Sequence, residues 1–299
     1  MKDNVYKISR QILYKELQPL FEALSVLRYA VVKGEVLSNQ IYGVPDRRRS
    51  GDIDILIDKK NIKYLEELLH KAGFLQILPD DSVEVRRNRV FCLSYSHQIP
   101  SYYKDKLGFC LNVDVNYDIF WGEYDGDRCS IDDFLSDTID MEIFGVKVKT
   151  LPKEKAFVHL VLHHYKEMNS LYHLSQHNPI RTDMFRDIYD MLVNNGDVLS
   201  REALMSLSEQ YSIGKYMYYI LYYTSQVFKC NDISQYVCAL KRYEDIVLLN
   251  SYGLSLNEQK KWGISFCERL DNKNNSDYVK NSLNSVDIRK IEMNSQIFK

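Results

Sequence analysis

Asp52 and Asp54 stand two residues apart in an otherwise apolar run, Gly51-Asp52-Ile53-Asp54-Ile55-Leu56-Ile57. Side chains alternate along a strand, so the two carboxylates share one face while Ile53, Ile55 and Ile57 share the other. Like charges this close on a half-buried surface repel, and one keeps its proton unless a cation neutralises both. The natural cation is a hard divalent ion with oxygen ligands; Mg²⁺ takes one or two carboxylates and completes its shell with water or phosphate oxygens. A further acid, Asp114, sits in the middle of the apolar run 108–120. Burying a charge unpaired is costly, so an acid there needs a reason other than stability.

What precedes the Asp pair supplies the other half of an anion site. Residues 29–33 are a β-branched run that breaks at Gly34, and the pattern to Tyr42 is that of a short amphipathic helix. A helix start leaves backbone N–H groups without intrahelical acceptors, and glycine lets a phosphate approach them. Lys33 and the run Arg47, Arg48, Arg49 add positive charge beside the carboxylates.

Lys33-Gly34, a helix, an arginine, and then Gly51-Asp52-Ile53-Asp54 in an apolar strand resemble the polymerase-β-type nucleotidyltransferase superfamily, most closely its bacterial group of uncharacterised nucleotidyltransferases. The resemblance covers roughly residues 29–194. It implies that Asp52, Asp54 and Asp114 hold two Mg²⁺, with Mn²⁺ able to replace them, and that Lys33, Gly34, Arg48, Arg49 and Ser50 bind a nucleoside triphosphate. The implied reaction moves a nucleoside monophosphate to an acceptor hydroxyl and releases pyrophosphate. A small-molecule acceptor is favoured by the mild acidity of the chain. The alternatives are a nucleotide-adding toxin that acts on RNA or protein, and a regulatory protein that binds nucleotide without turnover. This sequence departs from the pattern twice: Glu35 follows Gly34 where the superfamily prefers Ser or Gly, so its carboxylate must face away from phosphate, and Asn116 stands where the group tends to carry His, which removes a base. Asp118 is a weaker fourth acid. His164 and Lys166 would border the nucleotide, and Arg186-Asp187-Ile188 matches a later element of the group.

The chain has 299 residues, 45% hydrophobic and 27% charged, with a formal charge of −2. These values suit a soluble globular protein with a real core and give no overall electrostatic case for a nucleic-acid binder. Six cysteines are scattered without a Cys-x-x-Cys pair, which suggests neither a zinc ribbon nor a disulfide framework. With no signal-peptide order at the start and no run of about twenty apolar residues, the expectation is a cytoplasmic protein without membrane contact.

The expected fold is α+β: a polymerase-β-like domain over 1–150, its mixed sheet flanked by helices, followed by an all-α region over 151–299 that Pro152 introduces. Apolar spacing over 5–27 predicts one or two packing helices, and 58–70 a helix stopped by Gly73. Strands are expected at 74–78 and 83–95, the latter carrying Arg86, Arg87 and Arg89 on a face better read as solvated. The stretch 141–149 has the pattern of a hairpin. In the helical region, His159 and His163 are four apart but lack the glutamate of a zinc-protease motif, which favours a structural role. The stretch 169–179 reads as a polar loop and 180–192 as a helix whose Arg181 and Arg186 either meet phosphate or pair with neighbouring acids. The tyrosines between 211 and 223 read as core, and the tail after Asp271 as loosely held.

Overall fold

The computed structural model describes residues 2–76, 93, 96–176 and 178–298. The strand expected at 83–95, with Arg86, Arg87 and Arg89, and the end of the one at 74–78 lie outside the described residues, Leu93 apart. The chain divides into two compact units, one built from the residues up to Gly122 and Cys129–Ala156, the other from Glu123–Arg128 and Phe157–Gln296.

In the first unit, α1 (Lys2–Leu24) leads into β1 (Tyr29–Val32), α2 (Gly34–Tyr42), β2 (Ile53–Ile57) and α3 (Ile62–Lys71). Then come β3 (Tyr102–Lys106), β4 (Phe109–Asn116), α4 (Ile131–Phe134), β5 (Ile139–Ile143) and β6 (Val146–Thr150). The six strands form one mixed sheet in the order β3-β4-β2-β1-β6-β5. Strand β2 runs antiparallel to β1 and parallel to β4, so the acid-bearing strands are neighbours near the middle. Both hairpins turn through two consecutive positive-φ residues, Leu107-Gly108 and Phe144-Gly145, the arrangement whose twist matches the flanking strands.

One face of the sheet is closed by α1 and α3. Leu13, Leu17, Leu20, Phe21 and Leu24 pack with Ile53, Ile55 and Ile57 of β2, Leu111, Val113 and Val115 of β4, and Leu65 and Leu69 of α3. The alternation that buries these residues sends Asp54, Asp114 and Asn116 to the opposite face. At the start of α1 the expected apolar stripe fails. Val5 and Ile8 are exposed, and the buried line continues instead through Arg10 and Tyr14. Strand β3, Tyr-Tyr-Lys-Asp-Lys, was not expected; its lysines, both paired with Glu16, hide it from a search for apolar alternation.

The second unit is helical apart from a ladder of two residues a side, Ser251–Tyr252 with Lys260–Lys261. Its main helices are α5 (Lys153–Asn169, which enters from the first unit), α6 (Leu171–Ser175), α7 (Thr182–Asn194), α8 (Arg201–Gln210), α9 (Gly214–Val227) and α10 (Asn231–Ala239). The expected loop at 169–179 holds α6, whose start is capped by the Ser170 hydroxyl accepting from the His173 N–H. Tyr216, Tyr218, Tyr219 and Tyr223 of α9 are buried. The tail after Asp271 is packed, correcting the expectation of a loose end. It folds into helices Asn275–Asn281 and Ser285–Phe298, and buried Asp287 accepts from the Asn284 N–H while pairing with Lys260 at 2.8 Å. Asn284, in a stretch read as loose by composition, caps the last helix, its side-chain oxygen accepting from the Val286 and Asp287 N–H groups. No helix of the described residues is long and apolar enough to cross a membrane.

Candidate functional site

Asp54 lies inside β2, and Asp52 immediately precedes that strand's first residue. In the parallel pairing of β2 with β4, Asp54 stands opposite Asp114, so two acids distant in sequence become lateral neighbours on one sheet face. Asp54 is almost wholly buried. Asn116 donates to Asp54 Oδ1 at 3.2 Å, and the Ser101 hydroxyl donates to Asp114 Oδ1 at 2.5 Å. Asp52 Oδ1 accepts from the Ser50 hydroxyl at 2.9 Å. Asp118 instead closes a local turn by accepting from the Phe120 N–H.

Lys33, expected to bind phosphate beside the carboxylates, is here paired with one of them. Its ammonium pairs with Asp54 Oδ1 at 2.6 Å. Burial opposes the charge, but Asp54 and Asp52, with Asp114 further behind, hold the lysine above its ordinary pKa. Burial likewise pushes Asp54 up; Lys33 pulls against it and Asp52 adds to it. Burial pushes Asp114 up to about 7, and repulsion from Asp54 and Asp52 adds to the effect. Among the described residues, Lys33 is the cation paired with these acids, and one monovalent charge against three carboxylates leaves excess negative charge.

A pH dependence follows. The folded pKa of Asp114 lies above its unfolded value of about 4, so the folded state binds the proton more tightly and gives up stability as pH rises between the two values. The melting temperature of the metal-free protein, taken relative to Asp114→Asn, should therefore fall from about pH 4 to about pH 7 and level off above. A difference that grew in the opposite direction would mean that Asp114 is held as a paired carboxylate.

The turn between β1 and α2 is strained. Lys33 has φ 59° and ψ −149°, a region that costs a non-glycine residue of order 1–3 kcal/mol and that clusters at functional sites. Gly34 follows with φ +43°, and a Cβ there would meet the Ser50 side chain at 3.4 Å. That distance is ordinary van der Waals contact, so the left-handed φ is what favours glycine here; the 48–52 loop lies against the start of α2, where the first amides have no intrahelical acceptor. The Arg48 N–H donates to the Ser38 hydroxyl at 3.0 Å, which ties the loop to α2. The Arg49 guanidinium lies 5.9 Å from the Tyr6 ring centre and that of Arg47 4.5 Å from Tyr42.

Glu35 does face away, and the reason is a network that sequence reasoning missed. It is 1% exposed and forms a two-pronged pair with Arg10, Nε to Oε1 at 2.6 Å and Nη2 to Oε2 at 2.9 Å. The Tyr6 hydroxyl donates to Oε1 at 2.9 Å and accepts from the Ser50 N–H, also at 2.9 Å. Arg10 Nη2 also donates to the Asp52 carbonyl at 2.6 Å. Helix α1, read from sequence as packing material, therefore fixes both ends of the site: the entry to α2 and the backbone that presents Asp52. The available signal was the spacing of Tyr6, Arg10 and Tyr14, four residues apart along one helix face.

In the second unit, Arg186 lies near an acid of its own helix. Its guanidinium sits 4.4 Å from the Phe228 ring centre and 4.0 Å from Asp190 one turn on. Arg181 is the N-cap of α7. His164 and Lys166 are buried on α5.

A mixed sheet that sets carboxylates of adjacent parallel strands beside a strand–Lys-Gly–helix turn is the framework of the polymerase-β-like nucleotidyltransferases. Within that superfamily, the model of the family described as uncharacterised nucleotidyltransferase matches residues 4–229, and the chain belongs to this family. Among solved structures, the chain is similar to the crystal structure of an antigenic nucleotidyltransferase-like protein from Paracoccidioides brasiliensis, with 18% identity, a TM-score of 0.39, and 76% of this chain and 92% of that chain covered. No curated protein matches.

Proposed function

We propose that the protein is a metal-dependent nucleotidyltransferase that moves a nucleoside monophosphate from a triphosphate to a hydroxyl of a small-molecule acceptor, with pyrophosphate leaving. The observation that carries this reading is the electrostatic imbalance at Lys33: among the described residues, one ammonium, 2.6 Å from Asp54, stands among Asp52, Asp54 and Asp114. The donor set fits Mg²⁺, since all three acids offer hard oxygen ligands, and burial, with repulsion from the neighbouring carboxylates, holds Asp54 and Asp114 above the ordinary carboxylate range. Asp52, Asp54 and Asp114 would hold the metal, two ions in all, and Mn²⁺ would serve in its place.

When bound, Mg²⁺ supplies Lewis acidity toward the acceptor hydroxyl and the leaving pyrophosphate. The chain's own residues do the rest. Ser50 and Arg10 fix Asp52 through its side chain and its carbonyl, and Asn116 and Ser101 orient Asp54 and Asp114. With the carboxylates neutralised by metal, Lys33 would be free to offer its charge to the β- and γ-phosphates. Gly34, Ser50, Arg48 and Arg49 form the phosphate-facing turn. Asn116 can orient a proton but cannot accept one, so the acceptor loses its proton to a carboxylate or to solvent. A small acceptor suits a chain whose net charge is −2, for which an RNA backbone would have to be recognised locally.

Two measurements test this. Mg²⁺ with a nucleoside triphosphate should raise the melting temperature by more than either alone, because only the folded state binds them together. Incubation with each α-labelled triphosphate, Mg²⁺ and a cell extract should then label one molecule. No thermal shift with any of the four triphosphates, in Mg²⁺ or Mn²⁺, would overturn the reading.

A further inference from the structure

Helix α5 carries a second group of metal-ligating side chains, of which only His164 was expected near the nucleotide. His163 Nε2 lies 3.4 Å from Glu167 Oε1, and His164 Nδ1 lies 3.6 Å from Glu167 Oε2. One ligand atom from each of the three residues falls within 4.8 Å of the others. The spacing i, i+1, i+4 makes this convergence a property of one helix: His163 and Glu167 are one turn apart, and His164 with Glu167 is an i, i+3 pair. A metal bound at about 2.0–2.2 Å keeps its ligands about 3–4.4 Å apart, so small side-chain adjustments would close the set around an ion.

A second observation argues against a simple pair of His–Glu ion contacts. His164 is 3% exposed, and neither of its ring nitrogens has a hydrogen-bond partner. A buried polar group left unpaired costs about 1–3 kcal/mol, and an imidazole with both nitrogens unpaired is rare in an interior. Hydrogen bonding to Glu167 does not resolve this, because the Nδ1 contact is too long. Coordination would give Nδ1 a partner. His163 and Glu167 are both partly exposed, 17% and 28%, which provides an entry path to the inward-facing His164.

We propose that His163, His164 and Glu167 form a binding site for a first-row transition metal, Zn²⁺ by preference, with two imidazole nitrogens and one carboxylate as protein ligands and a remaining position for water or another ligand. The nitrogen donors set its chemistry apart from that of the three aspartates, because imidazole suits Zn²⁺ and its neighbours in the row whereas an all-oxygen set suits Mg²⁺. A three-ligand set with one open position is the type that binds an exchangeable fourth ligand.

The test uses the full chain without a histidine tag, stripped with a chelator, in excess Mg²⁺ and without nucleotide. Titration with Co²⁺ should saturate at one equivalent, with the intense visible absorption of a low-coordinate nitrogen-ligated cobalt, and Zn²⁺ should displace it. His164→Gln and Glu167→Gln should each weaken Zn²⁺ binding, measured by competition with a chromophoric chelator, by about a hundredfold or more, at or beyond the upper end of what losing an outer-shell partner costs. Circular dichroism establishes that each variant is folded, and the partly exposed Glu167 carries the test if His164→Gln is not. Failure of wild-type protein to bind Co²⁺ or Zn²⁺ in excess Mg²⁺ would overturn the proposal, as would folded variants that bind like wild type. Loss of Co²⁺ binding in Asp52→Asn or Asp114→Asn, with the helix variants unaffected, would place the ion on the aspartates and overturn it as well. None of these readouts depends on nucleotide transfer, so the two proposals fail separately.

Discussion

Asp114→Asn should reduce nucleotidyl transfer by roughly a hundredfold to ten-thousandfold, the several kcal/mol that a correctly held metal contributes, while the metal-free protein stays as stable as wild type or gains. Both halves follow from the same charges. Asp114 is pushed up to about 7 by burial and by Asp54 and Asp52, so neutralising it relieves repulsion in the metal-free fold and removes a ligand when metal is needed. Asp52→Asn should behave alike in transfer. Asp54→Asn should not behave alike in stability, because it withdraws the partner that Lys33 holds at 2.6 Å. Breaking a buried pair costs about 3–5 kcal/mol, and here the cost should be smaller, since Asp52 and Asp114 remain near the ammonium. Label transfer from an α-labelled triphosphate and metal-free thermal melts read the two effects independently. If Asp114→Asn melts several degrees below wild type, the acid supports the sheet and the assignment of the site fails.

The parts of this site legible in the sequence are those governed by alternation. Ile53, Ile55 and Ile57 on one side with Asp54 on the other, and the same division around Asp114, follow from the period of a strand, and both hold in the sheet. The pairing of β2 with β4, which brings Asp54 opposite Asp114, could be expected only through the resemblance to a known fold, because register between distant strands leaves no local mark. Lys33 shows a different limit. Sequence placed it in the right turn, but whether its ammonium faces phosphate or carboxylate depends on which charge is nearer, a matter of a few ångströms that spacing does not encode. Helix α1 is harder still. Val5 and Ile8 satisfy an apolar helical period and are exposed, while Arg10, which an apolar period excludes, is buried. Pairing with Glu35 reverses the ordinary preference of an arginine for solvent.

That pair leads to the largest expected effect on stability. Arg10→Ala should destabilise the protein by about 3–5 kcal/mol, the range for removing one partner of a buried ion pair, because Glu35 would be left 1% exposed with only tyrosine hydroxyls to meet its charge. Glu35→Gln should cost somewhat less, since the amide still offers Arg10 one acceptor. The pair also has a second task, and a double variant separates it from the first. Arg10→Met with Glu35→Met replaces the ions by apolar side chains of similar length, an exchange that is often neutral or stabilising once both charges are gone, so the melting temperature should largely recover. Transfer should not recover with it. Arg10 Nη2 donates to the Asp52 carbonyl at 2.6 Å, and without that bond the backbone presenting Asp52 loses its tether to α1; a misplacement of about 1 Å at a reacting centre can cost about a hundredfold. Thermal melts give the first outcome and turnover at saturating triphosphate and Mg²⁺ the second. A double variant that regained both stability and turnover would show that the network serves the fold alone, and that Asp52 is held by Ser50 and its own strand without help from the first helix.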